Sequence, residues 1–215
     1  MIINFLGDSI TEGAGASAPE RVYSAICAKL SKAKEGNYGV SSTRIARQRV
    51  EVNNNIPEDF ILRARWMQPS DFLFVFGGTN DYGHGDAALG EFGDRTSYTF
   101  YGAMTLLIEY LLEVKKYQKE QICFILPTPR YNEDNVHGDG CKNWRKFPTL
   151  ERYREAMIEV CSHFQVPYLR LTSLPLPTTN KPSEYFVDGL HPNDKGHEAI
   201  GKELHLYLKN KGLVK

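Results

Sequence analysis

An α/β fold is predicted for this chain, a flavodoxin-like three-layer α/β/α sandwich around a parallel sheet of about five strands. Two observations carry it. Short apolar runs alternate along the sequence with longer stretches of helical spacing. Parallel strands need crossover connections, so strand alternating with helix implies a parallel sheet covered on both sides. At 215 residues and 41% hydrophobic content, the chain is long enough for one well-buried domain and short for two. Taken in order, residues 2–6 form the first strand, 19–33 a helix, and 38–40 a weak second strand. Residues 72–76 give the third strand and 99–119 a helix with Leu107, Tyr110, Leu111 and Val114 on one face. The fourth strand is 122–126, followed by a helix at 149–164, a fifth strand at 166–169 and a last helix at 193–209. No repeat, low-complexity tract or linker divides the chain, so residues 1–215 are expected to form a single domain.

Charge and composition exclude several classes of partner. Lysine plus arginine and aspartate plus glutamate number 26 each, so no net field favours nucleic acid or an acidic membrane surface. No apolar run reaches the length of a membrane span, and the N-terminus has neither the basic start nor the cleavage site of a secretory signal. A cytoplasmic location is the expectation. Cys27, Cys123, Cys141 and Cys161 are scattered without a C-x-x-C pair, which fits free thiols packed as small apolar groups. Oligomeric state is not legible.

The chemistry begins at Gly7-Asp8-Ser9-Ile10-Thr11-Glu12, directly after the first strand. A serine at a strand-to-helix turn projects its hydroxyl from the carboxyl end of the sheet, with backbone N–H groups aimed at what it attacks. Asp188-Gly189-Leu190-His191-Pro192-Asn193 supplies a partner set near the other end. His191 would take the proton of Ser9 and return it to a leaving alcohol, while Asp188, three residues earlier, would accept from the other imidazole nitrogen. Ser42 and Asn80 follow the second and third strands, so every block falls in the crevice beyond the strands' carboxyl ends, where open parallel sheets place their sites. Each has a plainer alternative: Gly-Asp-Ser as a capped turn, Asp188 as a turn cap, His191-Pro192 as a helix opening, Asn80-Asp81 as a turn.

Four blocks, Gly7-Asp8-Ser9-Ile10-Thr11, Asn37-Tyr38-Gly39-Val40-Ser41-Ser42-Thr43, Gly77-Gly78-Thr79-Asn80-Asp81 and the Asp188/His191 block, together resemble the SGNH (GDSL-like) hydrolase family in content and order. The resemblance implies an oxyanion hole made by the N–H groups of Ser9 and Ser42 and the Asn80 side-chain amide, with no metal or organic cofactor. One position departs. Ser42 stands where the family usually has glycine, and its Cβ would be strained if the site needs φ > 0.

Rival readings are weaker. Gly13-Ala14-Gly15-Ala16-Ser17-Ala18 matches a dinucleotide fingerprint but opens too far after the strand, and Glu35 precedes the second strand. An α/β-hydrolase elbow needs glycine where Thr11 stands. His137-Gly138-Asp139-Gly140-Cys141 fits no zinc pattern. The other histidines, His84, His137, His163, His197 and His205, read as surface or packing residues. Segments 82–98 and 128–148 are expected to rim the pocket, bringing Tyr82, Arg130 and Trp144 as substrate contacts, with His84, Asp86, Arg95, Tyr98, Tyr131 and Arg145 nearby. This polar, aromatic set favours short acyl esters, with O-acetyl groups on carbohydrates leading. Lysophospholipase or thioesterase activity, and a non-catalytic binding protein on the same fold, stay open as alternatives.

Overall fold

Why the central strands are apolar along their whole length becomes clear from where their side chains go. In this computed structural model, which describes residues 1–49, 59–135 and 148–215, β1 (Ile2–Gly7), β2 (Lys34–Gly39), β3 (Phe72–Phe76), β4 (Ile122–Ile125) and β5 (Tyr168–Leu169) form one parallel sheet in the order β2-β1-β3-β4-β5. Successive strand residues point to opposite faces. Ile3 and Phe5 of β1, Phe72, Phe74 and Phe76 of β3, and Cys123 and Ile125 of β4 enter one core. Leu6, Leu73, Val75, Ile122 and Phe124 enter the other. Both faces are therefore dry, and a strand covered twice has no polar face to display.

Helices complete the three layers. On the first face lie α2 (Tyr23–Leu30) and α7 (Asp194–Asn210), contributing Tyr23, Cys27, Ile200, Leu204 and Leu208. The second face carries α3 (Phe60–Ala64), α5 (Phe100–Glu109) and α6 (Leu150–Phe164), with Phe60, Phe100, Leu107, Leu150 and Tyr153 in its core. Two short helices, α1 (Ser9–Glu12) and α4 (Thr79–His84), follow β1 and β3 directly. Because β2 and β3 flank β1, the chain leaves β1 to one side and returns on the other, opening a crevice at the carboxyl ends of β1 and β3.

Departures from expectation lie at edges and ends. The second strand is longer and earlier than 38–40, because Lys-Glu-Gly-Asn at an edge carries no apolar pattern. Of 19–33, only Tyr23–Leu30 is α-helical, after a 3-10 turn at Pro19–Arg21. The helix expected over 99–119 becomes π-helical at Tyr110–Val114, where the Lys115 N–H donates to the Tyr110 carbonyl at 3.0 Å. That extra residue per turn rotates the apolar stripe, so Val114 is 60% exposed while Leu111 is buried. Segment 82–98 is not wholly irregular, since α4 runs through Tyr82 to His84. Among the described residues no helix is long and apolar enough to cross a membrane.

Candidate active site

Ser9 opens α1 one residue after β1 has ended, and local packing dictates that turn. Asp8 caps the helix, its Oδ1 accepting from the Ile10 N–H at 3.0 Å. Glycine is required at position 7: a Cβ there would lie 1.9 Å from Thr11 Oγ1 and 2.8 Å from the Phe76 carbonyl oxygen. Gly13 ends α1 at φ 113°, and the N–H groups of Gly13 and Ala14 both donate to the Ser9 carbonyl, at 3.0 and 2.8 Å. The serine is thus clamped from both sides.

His191 reaches it from a loop that is equally tied. Phe186 and Pro192 form an antiparallel bridge. The Val187 N–H donates to the His191 carbonyl at 2.9 Å, and the Tyr131 N–H to the Gly189 carbonyl at 2.8 Å. Gly189 turns at φ 76°. His191 Nε2 stands 3.0 Å from Ser9 Oγ, and His191 Nδ1 stands 2.7 Å from Asp188 Oδ2. The other Asp188 oxygen accepts from the N–H groups of Leu190 and His191 at 3.0 and 2.7 Å. Partial burial pushes the Asp188 carboxyl up, but these bonds with His191 and Leu190 outweigh it and hold the group below the usual carboxylate range. A carboxylate only accepts, so neutral His191 carries its proton on Nδ1 and keeps an Nε2 lone pair for the serine.

Opposite the histidine, the segment after β2 packs against α4. Asp81 accepts from the Ile45 and Ala46 N–H groups at 3.0 and 2.8 Å, and Asn80 Nδ2 donates to the Thr43 carbonyl at 3.0 Å. Burial pushes the Asp81 carboxyl up to about 6, against the pull of those N–H bonds. Arg63 on α3 donates to the carbonyls of Gly7 and Tyr38 and to Thr43 Oγ1, tying the ends of β1 and β2 to the same segment. Glu12, the last residue of α1, accepts from the N–H and hydroxyl of Ser41. Ser42 then sits at φ 64°, so the conformation that favours glycine is the one this serine adopts.

These pieces enclose a cleft of about 490 Å³ lined by Ser9, Ser42, Asn80, Arg130 and His191, with Ala14 and Leu190 as its apolar walls. All five residues expected at the nucleophile, base, acid and oxyanion positions, Ser9, His191, Asp188, Ser42 and Asn80, border this one space. The expected substrate contacts fare unevenly. Arg130 lines the cleft, donating to the Thr79 carbonyl and hydroxyl at 3.1 Å each. Tyr82 does not. It is fully buried, its ring against Tyr153, its hydroxyl 2.7 and 2.8 Å from the carbonyls of Asn132 and Asn135. A position inside α4 turns that side chain into the core instead of toward the rim. Trp144, with Arg145 and the 137–141 stretch, lies outside the described residues.

The sequence reading set His84 among the rim residues without linking it to Asn80, and it missed Glu12 and Arg63. His84 also lines the cleft, and its four-residue spacing from Asn80 would have marked it, had 79–84 been recognised as helical. His197 is buried, as a packing residue should be, between the Tyr23 N–H and the Ala14 carbonyl. Among the described residues no three His, Cys, Asp or Glu side chains group as metal ligands do.

Comparison with known proteins gives a consistent picture. The profile of the GDSL-like lipase/acylhydrolase family matches residues 5–199. Among solved structures, a protein from Lactobacillus plantarum is 27% identical with a TM-score of 0.79, over 97% of this chain and 96% of that one. The aryl esterase of M. smegmatis is 16% identical with a TM-score of 0.67, over 97% and 98%. A carbohydrate acetylesterase family member from Sinorhizobium meliloti is 16% identical with a TM-score of 0.61, over 97% of each chain. No curated protein matches the sequence.

Proposed function

Because this chain belongs to the GDSL-like lipase/acylhydrolase family and is an ester hydrolase, we propose that it cleaves short acyl esters, foremost O-acetyl groups on carbohydrates, through a Ser9-His191-Asp188 triad and an acyl-enzyme. One observation carries the triad: an unbroken hydrogen-bonded line from Asp188 through His191 to Ser9 Oγ at the floor of the cleft.

Ser9 Oγ attacks the acyl carbon while His191 Nε2 takes its proton, and Asp188 stabilises the imidazolium through Nδ1–H. The carbonyl oxygen, now negative, is held by the N–H groups of Ser9 and Ser42 and by Asn80. An amide carries two N–H donors. The Thr43 carbonyl uses one, which leaves the second for the oxyanion. Collapse of the tetrahedral species expels the alcohol, which takes the proton back from Nε2. Water, deprotonated by His191, then releases the acid and restores Ser9.

Chain length follows from the cleft walls. Among the described residues only Ala14 and Leu190 are apolar there, so a long acyl chain would remain in water instead of gaining about 0.8 kcal/mol for each buried CH₂. On p-nitrophenyl esters from acetate to palmitate, kcat/KM falls with length under this reading. A rise from butyrate through palmitate would replace it with a lysophospholipase or thioesterase.

A further inference from the structure

We propose that His84, backed by Arg44, is a positioning residue that fixes which face of the Asn80 amide meets the oxyanion; the inference rests on the oxyanion role given to Asn80 above. An asparagine amide is a donor at one end and an acceptor at the other. Turned one way it stabilises an oxyanion. Turned the other way, it sets Oδ1 against a second negative oxygen and opposes the reaction. Catalysis therefore needs the orientation fixed before the charge develops.

Two contacts fix it. Asn80 Nδ2 donates to the Thr43 carbonyl at 3.0 Å, and Asn80 Oδ1 lies 2.9 Å from His84 Nε2, one helical turn along α4. The second contact holds only if His84 carries its proton on Nε2. Arg44 decides that, because its Nη2 faces His84 Nδ1 and a guanidinium can only donate. The same Nη2 donates to the His84 carbonyl at 3.1 Å, and Arg44 is buried, so the guanidinium is anchored to side chain and backbone of one residue. Donation thus runs in one direction, from Arg44 to His84 Nδ1 and from His84 Nε2–H to Asn80 Oδ1, leaving Nδ2 as the end that donates into the cleft.

Residues 42, 43 and 44 act at three consecutive points. Ser42 lines the cleft, the Thr43 carbonyl accepts from Asn80, and Arg44 sets the His84 tautomer. The two halves of the oxyanion hole are held by a single segment. His84 borders the cleft as well, but its Nε2–H is directed at Asn80.

A double-mutant cycle on p-nitrophenyl acetate tests this. His84→Ala should lower kcat roughly tenfold with KM nearly unchanged, since the missing hydrogen bond matters in the transition state. His84→Gln, whose amide can accept from Arg44 and donate to Asn80, should recover most of that loss. In an Asn80→Ala background, His84→Ala should cost nothing further. Full additivity, or wild-type kcat for His84→Ala, overturns the inference while the Asn80 reading stands. Wild-type kcat for Asn80→Ala itself overturns both. Wild-type protein gives an answer that needs no variant to fold: ¹⁵N-resolved imidazole spectra at about pH 8 should show His84 protonated at Nε2 alone, and protonation at Nδ1 would refute the relay.

Discussion

Replacing Asp8 by asparagine removes a buried negative charge next to Ser9 and keeps the oxygen that caps α1. Asp8 is 1% exposed, and burial raises its carboxyl from 3.8 to about 6, against the lowering pull of the Ile10 N–H, His191 and Arg63. Between those two values the folded protein retains a proton that the unfolded chain has released. Stability must then fall as pH rises through that window and level off above it. A shift of about two units at 1.36 kcal/mol each amounts to about 3 kcal/mol. An asparagine side chain cannot ionise, and it caps a helix as well as aspartate does. At pH 4 the unfolded carboxyl is already more than half ionised and part of that loss has occurred, so relative to wild type Asp8→Asn should gain about 2 kcal/mol at pH 8 over its standing at pH 4. Asp81, raised to about 6 in the same way, is present in both proteins, and its charge is part of what raises Asp8. Urea unfolding at the two pH values gives the four free energies required. An Asp8→Asn difference that is flat with pH, or that turns against the variant at pH 8, would show that the Asp8 anion is not penalised by its surroundings.

Other perturbations follow from the same contacts. Ser42→Gly keeps the N–H, and relief of the φ 64° strain exceeds the added chain entropy by up to about 1 kcal/mol, so Tm should rise by roughly 2–4 °C with kcat within about threefold; a lower Tm would mean the Ser42 side chain is itself stabilising. Glu12→Ala frees the Ser41 backbone and should lower kcat by at least about tenfold without unfolding the protein. An unaltered kcat would show that the 41–42 segment is held without Glu12. Arg154 is buried against Glu133 and the carbonyls of Pro127 and Thr128, and Arg154→Met leaves Glu133 without its cationic partner and both carbonyls without their side-chain donor, which should cost about 3 kcal/mol or more and depress Tm by at least about 6 °C. Calorimetry reads this directly, and a shift under about 2 °C would reject it.

Legibility in the sequence tracked how far each feature depends on local pattern. Phe72–Phe76 shows itself because a strand with two dry faces must be apolar throughout. Lys34–Gly39 is hidden because an edge strand paired with β1 alone has no such demand. Ser9, Asp188 and His191 are visible through short spacings, and so was the conditional strain at Ser42, now met by its φ of 64°. The helix bearing Asn80 was not. Gly78, Asn80, Asp81 and Gly83 are all turn formers, and only packing against 43–46 makes 79–84 helical. With that helix unseen, Tyr82 looks like a rim residue, and His84, read both as a rim residue and as a surface or packing one, shows no tie to Asn80. Arg63 and Arg44 gain meaning only through partners brought close by the fold, and single-chain patterning carries no trace of such contacts.

The central claim is that Ser9 is the nucleophile. Intact-mass analysis after incubation with a fluorophosphonate tests it most directly, because the probe leaves a covalent mark only on a serine activated by a base. One adduct per chain is expected, mapped to the peptide holding Ser9, absent in Ser9→Ala and strongly slowed in His191→Ala. No adduct on folded wild-type protein, or an adduct that persists in Ser9→Ala, would contradict the account.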